Sequence, residues 1–470
     1  MIVLSPRWLW CAETGLREGA HLIIQGDRIA DVVSERPSLD AERIEVPDGL
    51  LTPGLINLHN HAFSAPLFRG LADDIQPGDL PGHILFSLLM PLGDLVSEIM
   101  SADAIGDAVE MALLECLMTG TTAMLDIWRP QQHQFVPRAT GLGLRTWSCP
   151  YLFTQPNLAM DEAGQPVWRG ADASEASFDF VMRLHAERHQ GPDGLASIGF
   201  GPHGPDSNSP ALLRRIDAAA RELGAIVSIH CAQNPMEVAA VQAAHGKGSV
   251  AHIADCGLLR PGVILGHAMF ATDEEIEMVR DAGATIASCP LGFARSGRGV
   301  PLARFLQSGV RLGIGTDGVT LDMVDELRAA AVLAKTQSGI AGLGSAERLL
   351  TAATRDAADA LRRPDLGRLT PGSRADVVIF DLSRPRYQPV WNPLRALLTN
   401  GQGSDADTVI TAGVPRVRGR QFLRGDAAAI VQRGRAAIEA VWAEAARRGA
   451  IPARLAAQRD GVRVPGARVH

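Results

Sequence analysis

Histidines end several short apolar segments of this 470-residue sequence. The first segment, LLTPGLINLHNH, ends in His59 and His61, and on an extended strand residues two apart point their side chains the same way. Such a pair can bind one metal ion, although a lone His-x-His pattern is weak by itself. Further segments end in His203, His230 and His267, so five of the thirteen histidines share this placement. Chance would scatter them, and the set therefore indicates a metal centre.

Asp317 adds a carboxylate at the end of the last such segment, VRLGIGTD. Three or four nitrogen and oxygen ligands, with one position left for water, are what a hydrolytic metal centre needs. A divalent metal lowers the pKa of bound water to about 7, and Asp317 beside that water can take its proton while helping to hold the ion. The predicted metal ligands are His59, His61, His230 and Asp317.

Eight strand candidates position these residues, and each is followed by a helical pattern or by a loop long enough to contain a helix. This βαβα alternation over roughly 250–300 residues predicts a (β/α)₈ barrel, in which the carboxyl ends of the strands face the active site. A doubly wound open sheet, the alternative, should carry a glycine-rich phosphate turn after its first strand, and the sequence has none there. The candidates cover residues 51–60, 121–125, 144–149, 196–203, 225–230, 262–267, 284–289 and 310–317.

The two ends of the chain follow a different pattern. Segments 1–54 and 365–425 contain period-two strands separated by Gly, Asp and Pro turns, and neither segment is large enough for a core of its own. We expect them to join in a small composite β-sandwich domain beside a barrel of residues 55–364. Residues 426–470 are predicted to form a C-terminal helix and a tail, with a packed or solvated tail favoured over a partner-binding arm.

Composition excludes several classes of protein. With 45 Lys and Arg against 52 Asp and Glu, the formal charge of −7 gives no basic face for nucleic acid. The longest apolar stretch, from His83 to Met100, is interrupted by Pro91, Gly93 and Asp94 and cannot span a bilayer. No signal peptide is visible, and six scattered cysteines without a CxxC pair indicate reduced thiols. We therefore expect a cytoplasmic protein that acts on a small-molecule substrate.

Several motifs of the sequence occur together in one known family. The chain contains TPGLINLHNH, SIHCAQNPMEV, GHAMFATDEEIEMVRDAGATIASCP and GVRLGIGTDG…LDMVDELR, in this order. They resemble the amidohydrolase superfamily, and more narrowly its ATZ/TRZ group of chlorohydrolases, guanine and cytosine deaminases and adenosine-type deaminases. GRLTPGSRADVVIFDL is similar to the return of that family's chain to its composite β domain. The resemblance extends from about Ile2 to Leu423 and is highly specific.

The resemblance implies a (β/α)₈ barrel with one divalent metal per chain, zinc before iron, cobalt or manganese. It assigns His267 to a contact with the metal-bound water or with the reacting group of the substrate. It places His203, in GPHGPDSNSP, at a substrate-contact position. It also implies a homo-oligomer, either a dimer or a tetramer. The residues that match the ligand positions of the family are His59, His61, His230 and Asp317.

Three positions depart from the family pattern. Gln233 stands where deaminases of the family carry the Glu that protonates a ring nitrogen and passes the water's proton to the departing ammonia. A glutamine donates and accepts hydrogen bonds but cannot pass a proton. Ser288-Cys289-Pro290 replaces the usual His-Cys/Asn-Pro after the seventh strand, and the loop after Asp317 is short, with only Gly318-Val319-Thr320 before Leu321.

Three functions remain open on the sequence. The first is hydrolysis of a C–N bond of a nitrogen heterocycle with release of ammonia or an alkylamine, for which Asp317, His267 and Gln233 are the predicted catalytic residues. The second is hydrolysis of an exocyclic carbonyl group in an aryl urea, carbamate, thiocarbamate or amide, where Gln233 would only orient the substrate. The third is a non-catalytic barrel, which the retained ligand set disfavours. The predicted substrate contacts are His203, Gln233 and His267.

Aromatic side chains near the strand ends are further candidates for the pocket. Phe63, Phe68 and Arg69 belong to the segment AFSAPLFRGLADD, which either shapes the pocket mouth or packs as an ordinary loop. Trp128 and Phe153 follow the second and third strand candidates, where a core role is favoured over stacking on a flat substrate.

Overall fold

The computed structural model describes residues 1–69, 88–129, 132–160, 166–191 and 194–451. The chain begins with five strands that pair mainly through the first of them. They are β1 (Ile2–Cys11), β2 (Gly15–Glu18), β3 (His21–Gln25), β4 (Arg28–Val33) and β5 (Glu42–Pro53).

The barrel strands follow, and most of them are buried on both faces, which explains their nearly continuous apolar sequences. A short antiparallel hairpin, β9 and β10, is inserted after the third barrel strand, and the fourth is divided into β11 and β12. The strands are β6 (Leu55–Asn60), β7 (Thr121–Trp128), β8 (Arg145–Leu152), β9 (Asn157–Met160), β10 (Pro166–Arg169), β11 (Ala196–Ile198), β12 (Gly201–Pro202), β13 (Val227–Cys231), β14 (Val263–His267), β15 (Thr285–Ser288) and β16 (Arg311–Ile314).

Parallel pairing closes the barrel strands into a ring. One sheet has the order β11-β8-β7-β6, with β12 beside β8, and a second has the order β13-β14-β15-β16. Two isolated parallel bridges join these sheets, Phe200 to Val227 at one seam and Asn60 to Asp317 at the other. The predicted (β/α)₈ barrel is confirmed, and the carboxyl ends of its strands meet at one mouth.

Strands from both ends of the chain pair in one sheet. The carboxyl-terminal segment contributes β17 (Val377–Asp381), β18 (Ala406–Thr411), β19 (Val414–Arg418) and β20 (Gln421–Phe422). Together with the first five strands they form a nine-stranded composite sheet, in the order β20-β19-β18-β17-β5-β1-β3-β4 with β2 beside β1. β5 and β17 join the two segments by antiparallel pairing.

The first strand candidate, residues 51–60, is not one strand. Its first three residues end β5 in the composite sheet, and β6 of the barrel begins at Leu55. The chain passes between the two at Gly54, where a Cβ atom would lie 2.0 Å from the side chain of Thr122. Only a glycine fits this close approach, and it separates the composite sheet from the barrel.

Sixteen α-helices lie among the described residues, with two short 3₁₀ turns at Pro385–Tyr387 and Gly403–Asp405. The helices are α1 (Ser64–Phe68), α2 (Met90–Ile99), α3 (Ala102–Met118), α4 (Gln132–Leu142), α5 (Ser174–Arg188), α6 (Pro210–Glu222), α7 (Pro235–His245), α8 (Ser249–Asp255), α9 (Asp273–Asp281), α10 (Pro290–Ala294), α11 (Leu302–Ser308), α12 (Met323–Ser338), α13 (Ala346–Ala352), α14 (Arg355–Ala360), α15 (Pro393–Asn400) and α16 (Ala427–Arg447).

Side-chain caps begin two of the barrel helices, and the C-terminal segment forms a helix. Ser101 caps α3, and Thr272 forms a capping box with Glu275 at the start of α9. The C-terminal helix α16 is tied to the barrel by Trp442, whose Nε1 donates to the carbonyl oxygen of Leu67 at 2.8 Å. Residues 452–470 of the predicted tail lie outside the described residues, as do residues 70–74 of the pocket-mouth segment and residues 83–87 at the start of the longest apolar stretch.

Within the described ranges, no helix combines the length and the apolar character that crossing a membrane requires. All six cysteines are buried and free of disulfide bonds, as the sequence predicted. Their thiols are therefore packing groups of the core, and burial raises the pKa of Cys116 and Cys149 well above the usual range for a thiol.

A buried ion pair fastens the barrel to the composite sheet. Arg145, the first residue of β8, contacts both carboxylate oxygens of Asp376, at 2.8 Å from Nε and 3.1 Å from Nη2. Both side chains are 3% exposed. Asp376 also accepts the backbone N–H of Ala412 at 2.7 Å, so the carboxylate is satisfied from both sides. Breaking such a pair leaves a buried charge without compensation.

Replacing Asp376 with Asn should therefore destabilise the fold. We expect a loss of about 3–5 kcal/mol of unfolding free energy, because the Arg145 charge stays buried without its partner. Thermal unfolding followed by circular dichroism measures the effect. Adding Arg145→Met should recover part of the loss, since it removes the uncompensated charge. The exposed pair of Arg280 and Asp281 provides the control: Asp281→Asn should leave the thermal midpoint nearly unchanged, and an equal effect of both substitutions would contradict the prediction.

Candidate metal centre

His59 lies at the centre of a buried histidine cluster. It is fully buried near the end of β6, and neither of its ring nitrogens has a hydrogen-bond partner among the described residues. The ring occupies space left by Gly266 of β14, where a Cβ atom would lie 2.6 Å from its Cε1. A buried polar nitrogen without a partner is costly, and a metal ion at this point would satisfy it.

His61 and His230 are held in one orientation by backbone carbonyls. The Nδ1 of His61 donates to the carbonyl oxygen of Ile127 at 2.6 Å, and the Nδ1 of His230 donates to that of His203 at 2.9 Å. These bonds fix the Nδ1–H tautomer and leave each Nε2 free as a ligand, an arrangement typical of metal-binding histidines. Potential ligand atoms of His59, His61 and His230 lie within 4.8 Å of one another.

Asp317 completes the group from the end of the last barrel strand. Its Oδ1 lies 3.2 Å from the Nε2 of His61, and its Oδ2 lies 3.7 Å from the Nε2 of His267. The backbone of Asp317 has a φ of 55°, and Ala232 and Ala268, just beyond β13 and β14, share this left-handed conformation. Such strained positions cluster at functional sites, because the surrounding structure must hold them in place.

Burial sets the charge of these groups. It lowers the pKa of His59 and His230 well below the usual value, helped by repulsion among the neighbouring imidazoles, and lowers the pKa of His267 to about 4. Burial alone would raise the pKa of Asp317, but contact with His61 and attraction by the other histidines bring it well below the usual value. At neutral pH His59, His230 and His267 are therefore neutral and Asp317 is ionised, which are the forms that bind metal. Burial lowers the pKa of His61, but its contact with Asp317 raises that pKa overall, so metal binding would release a proton from His61.

The cluster opens into a cavity of about 1120 Å³, part of it open to solvent. One side is apolar and aromatic, which suits a flat organic ring. The other side carries the polar groups that the sequence singled out. The apolar lining residues are Phe68, Leu89, Met90, Trp128, Tyr151 and Phe293. The polar ones at the floor are His61, His203, His230, Gln233, His267 and Asp317.

The structure brings together all the predicted site residues, with His203, Gln233 and His267 around the ligand candidates. The aromatic residues that were candidates for the pocket have different positions in the structure. Phe68 and Trp128 line the cavity, whereas Phe63 is buried beneath Trp128 in the core. Phe153 is buried against His203 at a ring-centroid distance of 5.2 Å.

Arg69 was the third residue predicted to shape the pocket mouth. It pairs with Glu115 at 2.7 Å and is not among the residues that line the cavity. The sequence analysis missed other members of the site. Tyr151 and Arg298 line the cavity, and Cys289 offers its thiol within 4.8 Å of nitrogens of His59 and His267. The position of Tyr151 at the end of a predicted barrel strand could have revealed it; Arg298 lies on a loop, where sequence gives no such signal.

Comparison with known proteins agrees with this geometry. Residues 50–416 match the model of the amidohydrolase family. The chain belongs to the amidohydrolase family. The matched range contains the barrel strands and also strands β17 and β18 of the composite sheet. Every residue of the histidine cluster lies within it.

Two similar family members are named 5-methylthioadenosine/S-adenosylhomocysteine deaminase. The one from Nitratidesulfovibrio vulgaris Miyazaki F is 31% identical over 428 residues, covering 89% of this chain and 92% of that protein. The one from Thermococcus onnurineus is 29% identical over 402 residues, covering 84% of this chain and 88% of that protein. The similarity therefore extends over nearly the full length of both proteins.

Solved structures show the same fold. An adenosine deaminase from Xanthomonas campestris with bound zinc has a TM-score of 0.82 and 25% identity, covering 94% of this chain and 98% of that one. The atrazine chlorohydrolase TrzN from Arthrobacter aurescens, complexed with zinc, has a TM-score of 0.82 and 24% identity, covering 93% and 100%. At that identity the second similarity supports the fold alone.

Gly266 offers a direct test of the centre. Gly266→Ala places a methyl group where the His59 ring now lies, so the ring must move away from the other ligand candidates. We expect metal content after purification to fall severalfold and activity to fall with it, as measured by elemental analysis. Gly141→Ala is the matched control, because Gly141 is helical and a Cβ there would meet nothing within 4 Å. Full metal content in Gly266→Ala would refute the placement of His59 in the centre.

Proposed function

We propose that the protein is a metal-dependent aminohydrolase that removes an amino group from a nitrogen heterocycle, with a purine ring as the first candidate substrate. The single observation that carries the proposal is the fully buried His59, whose unpartnered nitrogens face His61, His230 and Asp317. Imidazoles with one carboxylate suit zinc, and iron, cobalt or manganese are alternatives. The deaminase names of the full-length relatives support the heterocyclic substrate.

The proposed ligands are His59, His61, His230 and Asp317. A divalent ion held by them would lower the pKa of a bound water to about 7 and polarise the substrate. In the reaction, the water oxygen bonds to the ring carbon, the exocyclic C–N bond breaks, and the amine leaves with a proton.

Asp317 is the proposed base for this reaction. Its carboxylate is ionised, and one oxygen is held by the backbone N–H of Gly318 at 2.8 Å, which leaves Oδ2 to accept a proton from the attacking water. His267 faces Oδ2 at 3.7 Å, where its neutral ring can contact the reacting group. His203 lies deeper against Tyr151 and would contact the bound ring.

Gln233 is the position at which the proposed mechanism departs from the deaminase pattern. Its side chain lines the cavity, and its backbone N–H donates to Oε2 of the buried Glu237 at 2.8 Å. Burial raises the pKa of Glu237 to about 8, but Glu237 does not line the cavity and cannot replace the missing acid there. Gln233 would therefore orient the substrate ring by hydrogen bonding. The proton for the ring nitrogen would come from Asp317 or from the substrate itself.

One observation favours a second candidate function. Among the described residues that line the cavity, Asp317 is the sole carboxylate. Hydrolysis of an exocyclic carbonyl group, as in an aryl urea, carbamate, thiocarbamate or amide, needs no acid for a ring nitrogen. For that reaction Asp317 would return its proton to the departing amine, and Gln233 would only position the substrate.

Metal analysis paired with a substrate panel separates these functions. We expect about one divalent ion per chain, and release of ammonia or alkylamine from amino-purines or N-alkyl triazines that stops after chelation and returns with added zinc. His61→Ala should lose both metal and activity, whereas His133→Ala, at an exposed helical position, should lose neither. Turnover confined to ureas and carbamates would establish the second function. A protein without metal, or full activity in His61→Ala, would refute the centre.

Gln233→Glu tests whether the pocket is built for deamination. The new carboxylate can protonate a ring nitrogen and pass a proton to the leaving amine, so kcat/KM for an amino-purine should rise by about tenfold or more. Gln242→Glu, at an exposed position of α7, the helix that follows Gln233, makes the same chemical change away from the cavity and should leave the rate unchanged. A fall in deamination by Gln233→Glu without a fall in metal content would count against the aminohydrolase proposal.

A further inference from the structure

A cationic side chain without a partner lines the cavity above the histidine cluster. Arg298 is half-buried, and within the described ranges its guanidinium has no hydrogen bond to an acceptor and no ion pair. Burial lowers its pKa, and no carboxylate of the described residues offsets this effect. A guanidinium held partly out of water and facing a cavity is ready to receive an anion.

Two more deeply buried arginines of this chain have carboxylate partners, which Arg298 lacks among the described residues. Arg129 pairs with Asp94 at 2.7 Å, and Arg145 pairs with Asp376 at 2.8 Å. These side chains have their anionic partners inside the protein, where the partner offsets the desolvation of the charge. For Arg298 the described residues supply no such partner, and its position on the cavity wall allows a bound anion to take that place.

The loop that carries Arg298 is fixed rather than free. The backbone N–H of Arg298 donates to the carbonyl oxygen of Phe293 at 3.1 Å, and the hydroxyl of Ser296 donates to the same oxygen at 2.8 Å. The short helix α10 before it is anchored by Glu326, a buried residue of α12 whose Oε2 accepts the N–H of Leu291 at 2.8 Å. The base of the Arg298 side chain is therefore held in place before any ligand binds, which lowers the entropy cost of binding.

The charges around the cavity leave this position to an anion. Among the described lining residues, the one acid is Asp317, which belongs to the histidine cluster at the floor. Arg295, on the same loop as Arg298, also lines the cavity and is exposed. The cavity extends from the histidine cluster to this loop, so a heterocycle bound at the cluster can carry a substituent toward Arg298.

We propose that Arg298 binds an oxyanion of the substrate, a carboxylate or a phosphate, on the substituent opposite the reacting C–N bond. This assignment rests on the proposed aminohydrolase function and names its substrate class: amino-heterocycles that carry an acidic side chain. The planar guanidinium matches both oxygens of a carboxylate or phosphate, so Arg298 selects for the acid over a neutral substituent of the same shape. Arg298 is a specificity-determining residue and takes no part in bond breaking.

Matched pairs of adenosine compounds test the proposal on the metal-loaded enzyme. S-adenosylhomocysteine and its carboxamide differ by one carboxylate, and adenosine 5′-monophosphate and adenosine differ by one phosphate. We expect wild-type kcat/KM for the acidic member of at least one pair to exceed that of the neutral member by about 10- to 100-fold. Arg298→Met should abolish this preference by slowing the acid alone, while the neutral compound stays within about twofold.

Two further variants exclude indirect effects. Arg298→Lys keeps the charge but loses the planar fork, so it should retain part of the preference. Arg435→Met removes one positive charge from an exposed position of α16 and should leave the preference intact. Metal content and thermal midpoint of each variant show whether it folds like the wild type.

The outcomes separate this proposal from the proposed function. Equal rates for acid and neutral compounds in the wild type, or a preference that survives Arg298→Met, would overturn the anion site while deamination stands. A preference in the phosphate pair alone supports the site and identifies its group as a phosphate. If none of the four compounds loses ammonia, the adenosine-type function fails. Calorimetric binding of the acids then tests Arg298 by itself, with tight binding lost in Arg298→Met as support and equal binding as refutation.

Discussion

The unpartnered imidazole of His59 is the constraint on which the rest of the site depends. A buried polar group without a partner costs about 1–3 kcal/mol, and here both ring nitrogens are in that state. The neighbouring structure maintains this arrangement at several points. Gly266 leaves the space that the ring fills, and the carbonyls of Ile127 and His203 turn the flanking imidazoles toward it. A fold maintains such an arrangement where a ligand supplies the missing interaction.

Burial also determines which groups of the cluster are charged. The same desolvation that keeps His230 and His267 neutral would also neutralise Asp317, were it not for the imidazoles around that carboxylate. The neutral rings of His230 and His267 and the ionised carboxylate of Asp317 are thereby kept side by side at neutral pH. The left-handed backbone of Asp317 brings its oxygens within reach of His61 and His267, so local strain and electrostatics act together.

How much the sequence could predict follows from where each residue lies. The barrel was predictable because its strands are short, apolar and regularly spaced, and His230 and His267 end such strands and so had to reach the mouth. Arg298 was not, because its position depends on the turns of a loop and on a contact between α10 and Glu326, far away in sequence. The first strand candidate failed at Gly54, because the reason for the break is the proximity of Thr122, a tertiary contact.

The pairing of β5 with β17 also determines when the composite sheet can form during synthesis of the chain. Pro53 of β5 lies opposite Val377 of β17, so the ribosome synthesises every barrel strand before the neighbour of β5 exists. Until then the nascent chain presents one open edge of β5, with free N–H and C=O groups that another chain could pair with. A product truncated before Val377 would keep that edge permanently. Pairing with β17 is therefore the step that covers this edge.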